Sequence, residues 1–149
     1  MSGLSHIDES GRARMVDVSA KDATVRTAAA QGVVTCRPET LDQVRAGSTP
    51  KGAVIQTAEL AGVMAAKRTA ELIPLCHPLP LTHVEVRIEI EDSLPGFRIA
   101  SDVRTKAETG VEMEALTAVA VGGLTLFDML KAVDRTMVIG GIEVVSKTK

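Results

Sequence analysis

The chain has 149 residues, of which 45% are hydrophobic and 24% charged, and its 17 basic and 19 acidic side chains give a net charge of −2. This size and composition are typical of one globular domain, and the charge balance provides no general attraction to nucleic acid or anionic membrane. The chain has no Trp or Tyr and only two Phe, which disfavours proteins that stack single-stranded bases on aromatic rings.

The two cysteines, Cys36 and Cys76, form no C-x-x-C motif. The N-terminal residues contain no apolar core typical of a signal peptide, and no apolar run reaches the length of a membrane span. We therefore expect a cytoplasmic protein with reduced thiols, without a membrane or nucleic-acid partner.

The N-terminal residues predict an arm and a short strand. Residues 1–14 are polar and contain two glycines, which indicates a flexible arm. Residues 15–149 are expected to form a single domain, and its first segment, MVDVS at 15–19, predicts a strand.

The next segment, 24–37, contains enough alanine for a helix but ends in β-branched residues, and we favour a strand. Residues 38–46 begin with proline and are followed by Gly47, which predicts a helix. After a loop at 48–52, the apolar spacing over 53–73 predicts a second helix, which Pro74 ends.

Strict alternation of apolar and charged residues over 83–91 predicts a half-buried strand. A turn at 92–96 and renewed alternation over 97–105 complete a hairpin. The long apolar segment 109–135 predicts a helix, and 137–146 predicts a last strand, in which two glycines indicate a bulge.

The order β-α-β-β-α-β predicts an α+β, ferredoxin-like fold with an antiparallel sheet and helices packed on one face. The opposite face would be solvated or used for assembly. No internal repeat is visible.

The long predicted helix carries charges at both ends. Asp128 and Lys131 share one helix face, either as a positioned acid–base pair at a pocket wall or as an exposed ion pair. Glu112 and Glu114 lie near the helix start, where acidic residues either complement the helix dipole or face a ligand. A charge on a mostly apolar helix is costly unless it is paired or used, so we expect a functional site here.

A stiff segment with three prolines carries Cys76 and His77. Its imidazole either faces a ligand or hydrogen-bonds a loop carbonyl. Because no second ligand pair has the spacing of a structural zinc site, no metal site is expected.

Four cations are candidates for a local phosphate-binding basin, although spacing leaves open whether they converge. They are Arg26, Lys51, Lys131 and Lys147.

Six segments together resemble the MoaC family of molybdenum cofactor biosynthesis, the cyclic pyranopterin monophosphate synthases, and the similarity extends from His6 to Lys147. They are MVDVS at 15–19, KG at 51–52, AAKRT at 65–69, LIPLCHPL at 72–79, TGVEMEALTA at 109–118 and DMLKAVDR at 128–135.

The resemblance implies a ferredoxin-like subunit in a homo-oligomer, a hexamer built as a trimer of dimers with interfacial active sites. It implies a lyase that converts a 3′,8-cyclised dihydro-GTP into cyclic pyranopterin monophosphate and pyrophosphate. No cofactor is implied, with Mg²⁺ admitted only as a counter-ion of the triphosphate.

By matching position, the resemblance implies that Asp128 is the catalytic acid–base, with Lys131 and Lys51 as essential partners. It also implies a set of substrate-binding residues. These are Leu75, Cys76, His77, Met113, Glu114, Glu112, Arg26 and Lys147.

If Glu112 and Glu114 at one end and Asp128 and Lys131 at the other all face the substrate, a straight helix would separate these two acidic patches by about 20 Å. Either the first patch, at Glu112 and Glu114, lies in the loop before the helix, or the two ends meet in a site built from two subunits.

A ligand-sensing module and a nucleic-acid-binding domain are the competing functional classes.

Overall fold

The computed structural model describes residues 6–149. Its elements follow the predicted order: β1 Thr24–Thr35, α1 Pro38–Ala46, α2 Val54–Lys67, α3 Thr69–Leu72, β2 Leu81–Glu91, β3 Gly96–Ala107, α4 Glu112–Leu130 and β4 Val138–Thr148.

The four strands form one antiparallel sheet in the order β2-β3-β1-β4, with α2 and α4 packed on one face. The predicted α+β, ferredoxin-like class is confirmed. The alternation in β2 has the expected effect, since Val86 and Ile88 are buried beneath the helices. On the opposite face, Arg87 donates a hydrogen bond to Asp102 of β3 at 3.2 Å, so this part of the sheet is charged.

Helix α4 lies very close to α2 because small residues line their contact. A Cβ atom on Gly62 of α2 would lie 2.8 Å from the backbone oxygen of Ala118 of α4. This contact, and the fully buried Ala115 and Val119 against the sheet, fix the position of α4. Its two charged ends are therefore held at opposite ends of the helical layer.

By length and composition alone, α4 is long and apolar enough to cross a membrane, contrary to the expectation that no run reaches this length. However, 56% of its most apolar window is buried inside the protein. Helix α4 packs on the sheet as part of the hydrophobic core, and its Leu126 and Leu130 are fully buried.

The predicted strand at 15–19 is wrong. This segment forms no ladder with the sheet. Instead, the Val16 carbonyl accepts a hydrogen bond from the His77 side chain. This bond replaces the one that a backbone N–H of a neighbouring strand would otherwise donate.

The single helix predicted over 53–73 is also wrong, because the chain turns at Arg68 between α2 and α3. The Arg68 N–H bonds the carbonyl of Ala65, three residues back, and the Thr69 hydroxyl bonds the Ala66 carbonyl at 2.9 Å. These bonds tighten the last turn of α2 and end it at Lys67, seven residues before Pro74.

Two smaller predictions from glycine are confirmed. Gly47 ends α1 in the left-handed conformation with φ +69°. In β4, Gly141 has φ +63°, and the register against β1 shifts between Gln31 and Val33, which is the expected bulge.

Part of the predicted N-terminal arm, residues 1–5, lies outside the described residues. From residue 6 onward the arm forms a turn, closed by a bridge between Ile7 and Ala13. The Asp8 carboxylate accepts the N–H groups of Ser10 and Arg12, each at 2.9 Å. Flexibility of the arm stays a prediction.

Candidate active site

A cavity of about 400 Å³ lies at the N-terminal end of α4. The proline-rich segment after α3 forms one wall, the residues before α4 form a second, and the N-terminal segment forms a third. The structure brings together six residues predicted for the substrate site: Leu75, Cys76, His77, Glu112, Met113 and Glu114.

The imidazole of His77 is fixed by the N-terminal segment. Its Nε2 atom lies 2.5 Å from the Val16 carbonyl, which can only accept, so Nε2 carries a proton and donates. The simpler of the two expectations for this histidine, a hydrogen bond to a loop carbonyl, is therefore met in the structure. The same bond holds the N-terminal segment against the cavity that His77 lines.

Glu114 is the most buried ionisable group of the cavity, with 3% of its surface exposed. Its Oε2 atom accepts a hydrogen bond from the Cys76 thiol at 3.7 Å. Burial raises the pKa of Glu114. The backbone N–H of Glu114 itself and the Cys76 thiol oppose the rise, and the charge of Glu112 adds to it. Burial and the neighbouring Glu114 raise the pKa of Cys76 to about 11, so the thiol keeps its proton.

A second cavity of about 330 Å³ adjoins the first and is cationic. Arg26 and Lys147 line it from the paired strands β1 and β4, and the two cavities share Lys21 and Glu112. The Arg26 Nε–H donates to the carbonyl of Ala107 at 3.1 Å, which holds the guanidinium at the cavity wall.

The third predicted group, Asp128 with its two lysines, lies at the other end of α4. Lys131 Nζ is 2.9 Å from one Asp128 carboxylate oxygen and Lys51 Nζ is 3.1 Å from the other. The Lys51 ammonium also donates to the Asp128 carbonyl at 3.3 Å. Hydrogen bonds from Lys131 and Lys51 lower the pKa of Asp128, so it is a carboxylate at neutral pH.

This cluster is not buried in the single chain, contrary to what the apolar sequence around it indicated. The side chain of Asp128 is 56% exposed. Asp128 and Lys131 continue a stripe that begins at the exposed Leu124 and points away from the sheet, while Met129 and Leu130 beside them are buried.

The predicted basin of four cations does not form within one chain, because two of them lie at each end of α4. Arg26 and Lys147 share the cationic cavity, whereas Lys51 and Lys131 hold Asp128. From Glu112 to Asp128 the helix spans about 24 Å at 1.5 Å per residue.

The first alternative for the acidic patches is wrong, since Glu112 and Glu114 form the first turn of α4 rather than a loop. The alternative of a site built from two subunits stays a prediction.

Several residues of the first cavity were not predicted from the sequence. Val16, Val18 and Lys21 belong to an N-terminal segment whose position depends on contacts far along the chain, and Ile73 and Leu79 had been assigned no role. The local signals were the resemblances at 15–19 and 72–79, which gave no position in space. Across residues 6–149, no three His, Cys, Asp or Glu side chains converge in a manner suited to a metal ion.

A ferredoxin-like sheet with an apolar, acidic cavity beside a cationic one has the features of an enzyme that acts on a small anionic molecule. The MoaC family model matches residues 15–149, and the chain belongs to this family. The resemblance seen in the sequence is thereby confirmed, and the family implies an enzyme with a small-molecule substrate.

Three relatives show how similar the chain is to cyclic pyranopterin monophosphate synthases. The synthase of Roseiflexus sp. (strain RS-1) is 59% identical over 148 residues, covering 99% of this chain and 94% of that protein. That of Nostoc sp. (strain PCC 7120) is 57% identical over 147 residues, covering 99% and 88%. That of Brucella ovis is 58% identical over 149 residues, covering 99% and 90%.

Proposed function

We propose that this enzyme converts (8S)-3′,8-cyclo-7,8-dihydroguanosine 5′-triphosphate into cyclic pyranopterin monophosphate and pyrophosphate. The observation that carries the proposal is the pair of adjoining cavities, one apolar and acidic, the other cationic. A nucleoside triphosphate has the matching division into an uncharged heterocycle and a polyanion. The names of the relatives support the same reaction.

In this proposal the triphosphate occupies the cationic cavity. Arg26 and Lys147 bind phosphate oxygens there, because a guanidinium can bind two of them at once and an ammonium adds a mobile point charge. The base-derived part occupies the first cavity between the side chains of Leu75 and Met113, and Glu112 accepts hydrogen bonds from its N–H groups.

The cluster at Asp128 handles protons. To close the cyclic phosphate, a ribose-derived hydroxyl attacks the α-phosphorus, a new P–O bond forms, the bond to the β-phosphate breaks and pyrophosphate leaves. The Asp128 carboxylate takes the hydroxyl proton, and Lys131 and Lys51 neutralise charge on the phosphates. The conversion of the base into a pterin proceeds by ring opening with water and by proton transfers, to which Asp128 and Lys131 contribute.

The substrate cannot span both ends of α4 in one chain, so the proposed site combines the cavities of one copy with the Asp128 cluster of another. Exposed apolar residues support such assembly, among them Leu60 and Met64 on α2 and Val138 and Val145 on β4. A hexamer built as a trimer of dimers is the assembly we propose. The proposal places the enzyme in the cytoplasm, without a cofactor and with Mg²⁺ only as a counter-ion of the triphosphate.

The direct test of function is incubation of the protein with the cyclised triphosphate, followed by detection of the pyranopterin and of pyrophosphate. Formation of both products in equal amounts is expected. Binding of the triphosphate without turnover would instead indicate a ligand-sensing module.

Mixing two inactive variants tests whether the site is shared. Asp128→Asn removes the proton-handling carboxylate and Lys147→Ala removes a phosphate-binding cation at the other end of α4. In a symmetric dimer assembled at random from equal amounts of both, about a quarter of the sites contain neither change, so about a quarter of wild-type activity should return. The measurement is product formation after the two purified variants are unfolded together and refolded.

The matched control is a mixture of Asp128→Asn with Lys131→Ala, since both changes lie in the same cluster and no site can escape both. This mixture should stay inactive. Equal inactivity of the first mixture, in refolded mixed oligomers, would show that each site is built within a single chain.

A further inference from the structure

Glu114 has one carboxylate oxygen occupied and one without a partner. Oε2 accepts the hydrogen bond of the Cys76 thiol at 3.7 Å. Oε1 is fully buried and has no hydrogen-bond partner within the described chain. A buried polar atom of this kind costs free energy unless a ligand or water satisfies it. Glu114 lines the main cavity on one side and a small cavity of about 130 Å³ on the other.

No cation neutralises this carboxyl group, since within residues 6–149 no Lys, Arg or His nitrogen lies within 4.0 Å of it. Ionisable side chains line the cavities around it on every side. They are Glu112 on its own helix, Cys76 and His77 in the proline-rich segment, His6 and Lys21 in the N-terminal segment, and Lys67 and Glu71 around the small cavity.

A buried carboxylate without a paired cation is costly, and a second acid on the same helix turn adds repulsion. Glu112 provides that repulsion here. Protonation removes both penalties. The proton then belongs on Oε1, because Oε2 already accepts from the thiol of Cys76.

We propose that Glu114 is a neutral carboxylic acid whose Oε1–H donates a hydrogen bond to an acceptor atom of the substrate's heterocycle, and that Cys76 is the residue that positions it. The inference rests on the proposed function for the identity of the ligand. The acceptor is a carbonyl oxygen or an unprotonated ring nitrogen, which a carboxylate would repel. A neutral group also adds no negative charge beside the cavity in which the triphosphate binds.

Glu112 and Glu114 would thus recognise different atoms of the base. Glu112 accepts from N–H groups, whereas Glu114 donates to a carbonyl or ring nitrogen, and together they match a heterocycle with donors and acceptors along one edge. Glu114 is in this sense a specificity-determining residue.

The protonation state is measurable without substrate. In the full-length protein labelled with ¹³C at the glutamate carboxyl carbon, the signal missing from Glu114→Gln belongs to Glu114. Its titration midpoint should lie above the pH of the activity assay, and therefore well above the ordinary value of about 4.3. A midpoint below the assay pH would mean that Glu114 is ionised and would overturn the proposal whatever the enzyme's activity.

Cys76 provides a second measurement on the same signal, which tests the positioning role. The thiol's hydrogen bond lowers the pKa of Glu114, so Cys76→Ala should move the midpoint of that signal further upward. Cys76→Ser, which retains a donor, should leave it near the wild-type value. An unmoved midpoint in Cys76→Ala would refute the positioning role.

Kinetics with the cyclised triphosphate test the donor itself. Glu114→Ala should raise KM about 10-fold, the loss expected for one buried hydrogen bond, with a smaller change in kcat. Glu114→Gln should recover most of that loss, because an amide is a neutral donor of nearly the same shape. Equal losses in the two variants would mean that the substrate needs the carboxylate. A midpoint above the assay pH with no turnover by any variant would support the neutral acid and reject only the proposed reaction.

Discussion

Asp128→Asn is expected to lower kcat by about 10²–10⁴-fold, the usual contribution of a positioned acid or base. The two lysines lower the pKa of Asp128, so at neutral pH it is an unprotonated carboxylate with an oxygen that can accept a proton, which an amide cannot do. Substrate binding should change little, because the cavities that hold the base and the phosphates are lined by other residues. Steady-state kinetics and the affinity for the cyclised triphosphate separate the two effects.

Asp92→Asn is the matched control, since Asp92 is also an exposed carboxylate, bonded to Arg45 at 2.7 Å. It should retain full activity, and both variants should unfold at the wild-type temperature, because exposed ion pairs contribute little to stability. Normal turnover by Asp128→Asn would reject its role as the base. A fall in affinity as large as the fall in kcat would instead assign it to substrate binding.

The fold could be predicted from the sequence because its signals are local and periodic. The alternation in β2 places Val86 and Ile88 in the core without reference to any other element. The turn before Gly96 then fixes the hairpin with β3, and the predicted class follows from the order of the elements.

The wrong predictions concern features that distant contacts decide. The segment at 15–19 has the composition of a strand, but its Val16 carbonyl is bonded by His77, 61 residues away. Likewise, the apolar residues around Asp128 indicated a buried face, whereas in the single chain Asp128 and Lys131 form the exposed ion pair that was the other alternative. The residues of the candidate site could be predicted from the sequence. That they lie at two opposite ends of α4 could not, because their positions depend on the lengths and directions of the helices and strands.

Asp134 shows the same limit, since sequence analysis assigned it no role. It is 1% exposed and joins the chain after α4 to the start of α1. Its Oδ2 accepts the N–H of Arg37 at 3.0 Å and the hydroxyl of Thr40 at 2.7 Å. Its Oδ1 accepts the N–H and the hydroxyl of Thr136 at 2.8 and 2.7 Å. Arg37, the N-cap residue of α1, forms no side-chain cap hydrogen bond, and Asp134 anchors this end of the helix by accepting the Arg37 N–H from 97 residues away.

Asp134→Ala is expected to lower the free energy of unfolding by about 3–5 kcal/mol, because four donors lose their acceptor, two of them backbone N–H groups. Asp134→Asn, which keeps the shape and one good acceptor, should lose less. Asp42→Ala is the control on α1 itself, since its ion pair with Arg45 is exposed, and it should change the free energy by less than about 1 kcal/mol. Urea unfolding at neutral pH and fixed protein concentration measures all three.

The pH dependence of the unfolding free energy distinguishes the contribution of the Asp134 charge from that of its packing. Burial alone would raise the pKa of Asp134, but the hydrogen bonds from Arg37, Thr136 and Thr40 outweigh it and hold the pKa far below the ordinary range. A folded pKa below the unfolded one gives stability that is fully present above the unfolded value of about 3.9 and is lost as the pH falls towards the folded value. The gap in unfolding free energy between wild type and Asp134→Ala should therefore be constant from neutral pH down to about pH 5 and narrow below about pH 4. A gap that stays the same at acidic pH would mean that Asp134 stabilises the fold through shape alone, with no contribution from its charge.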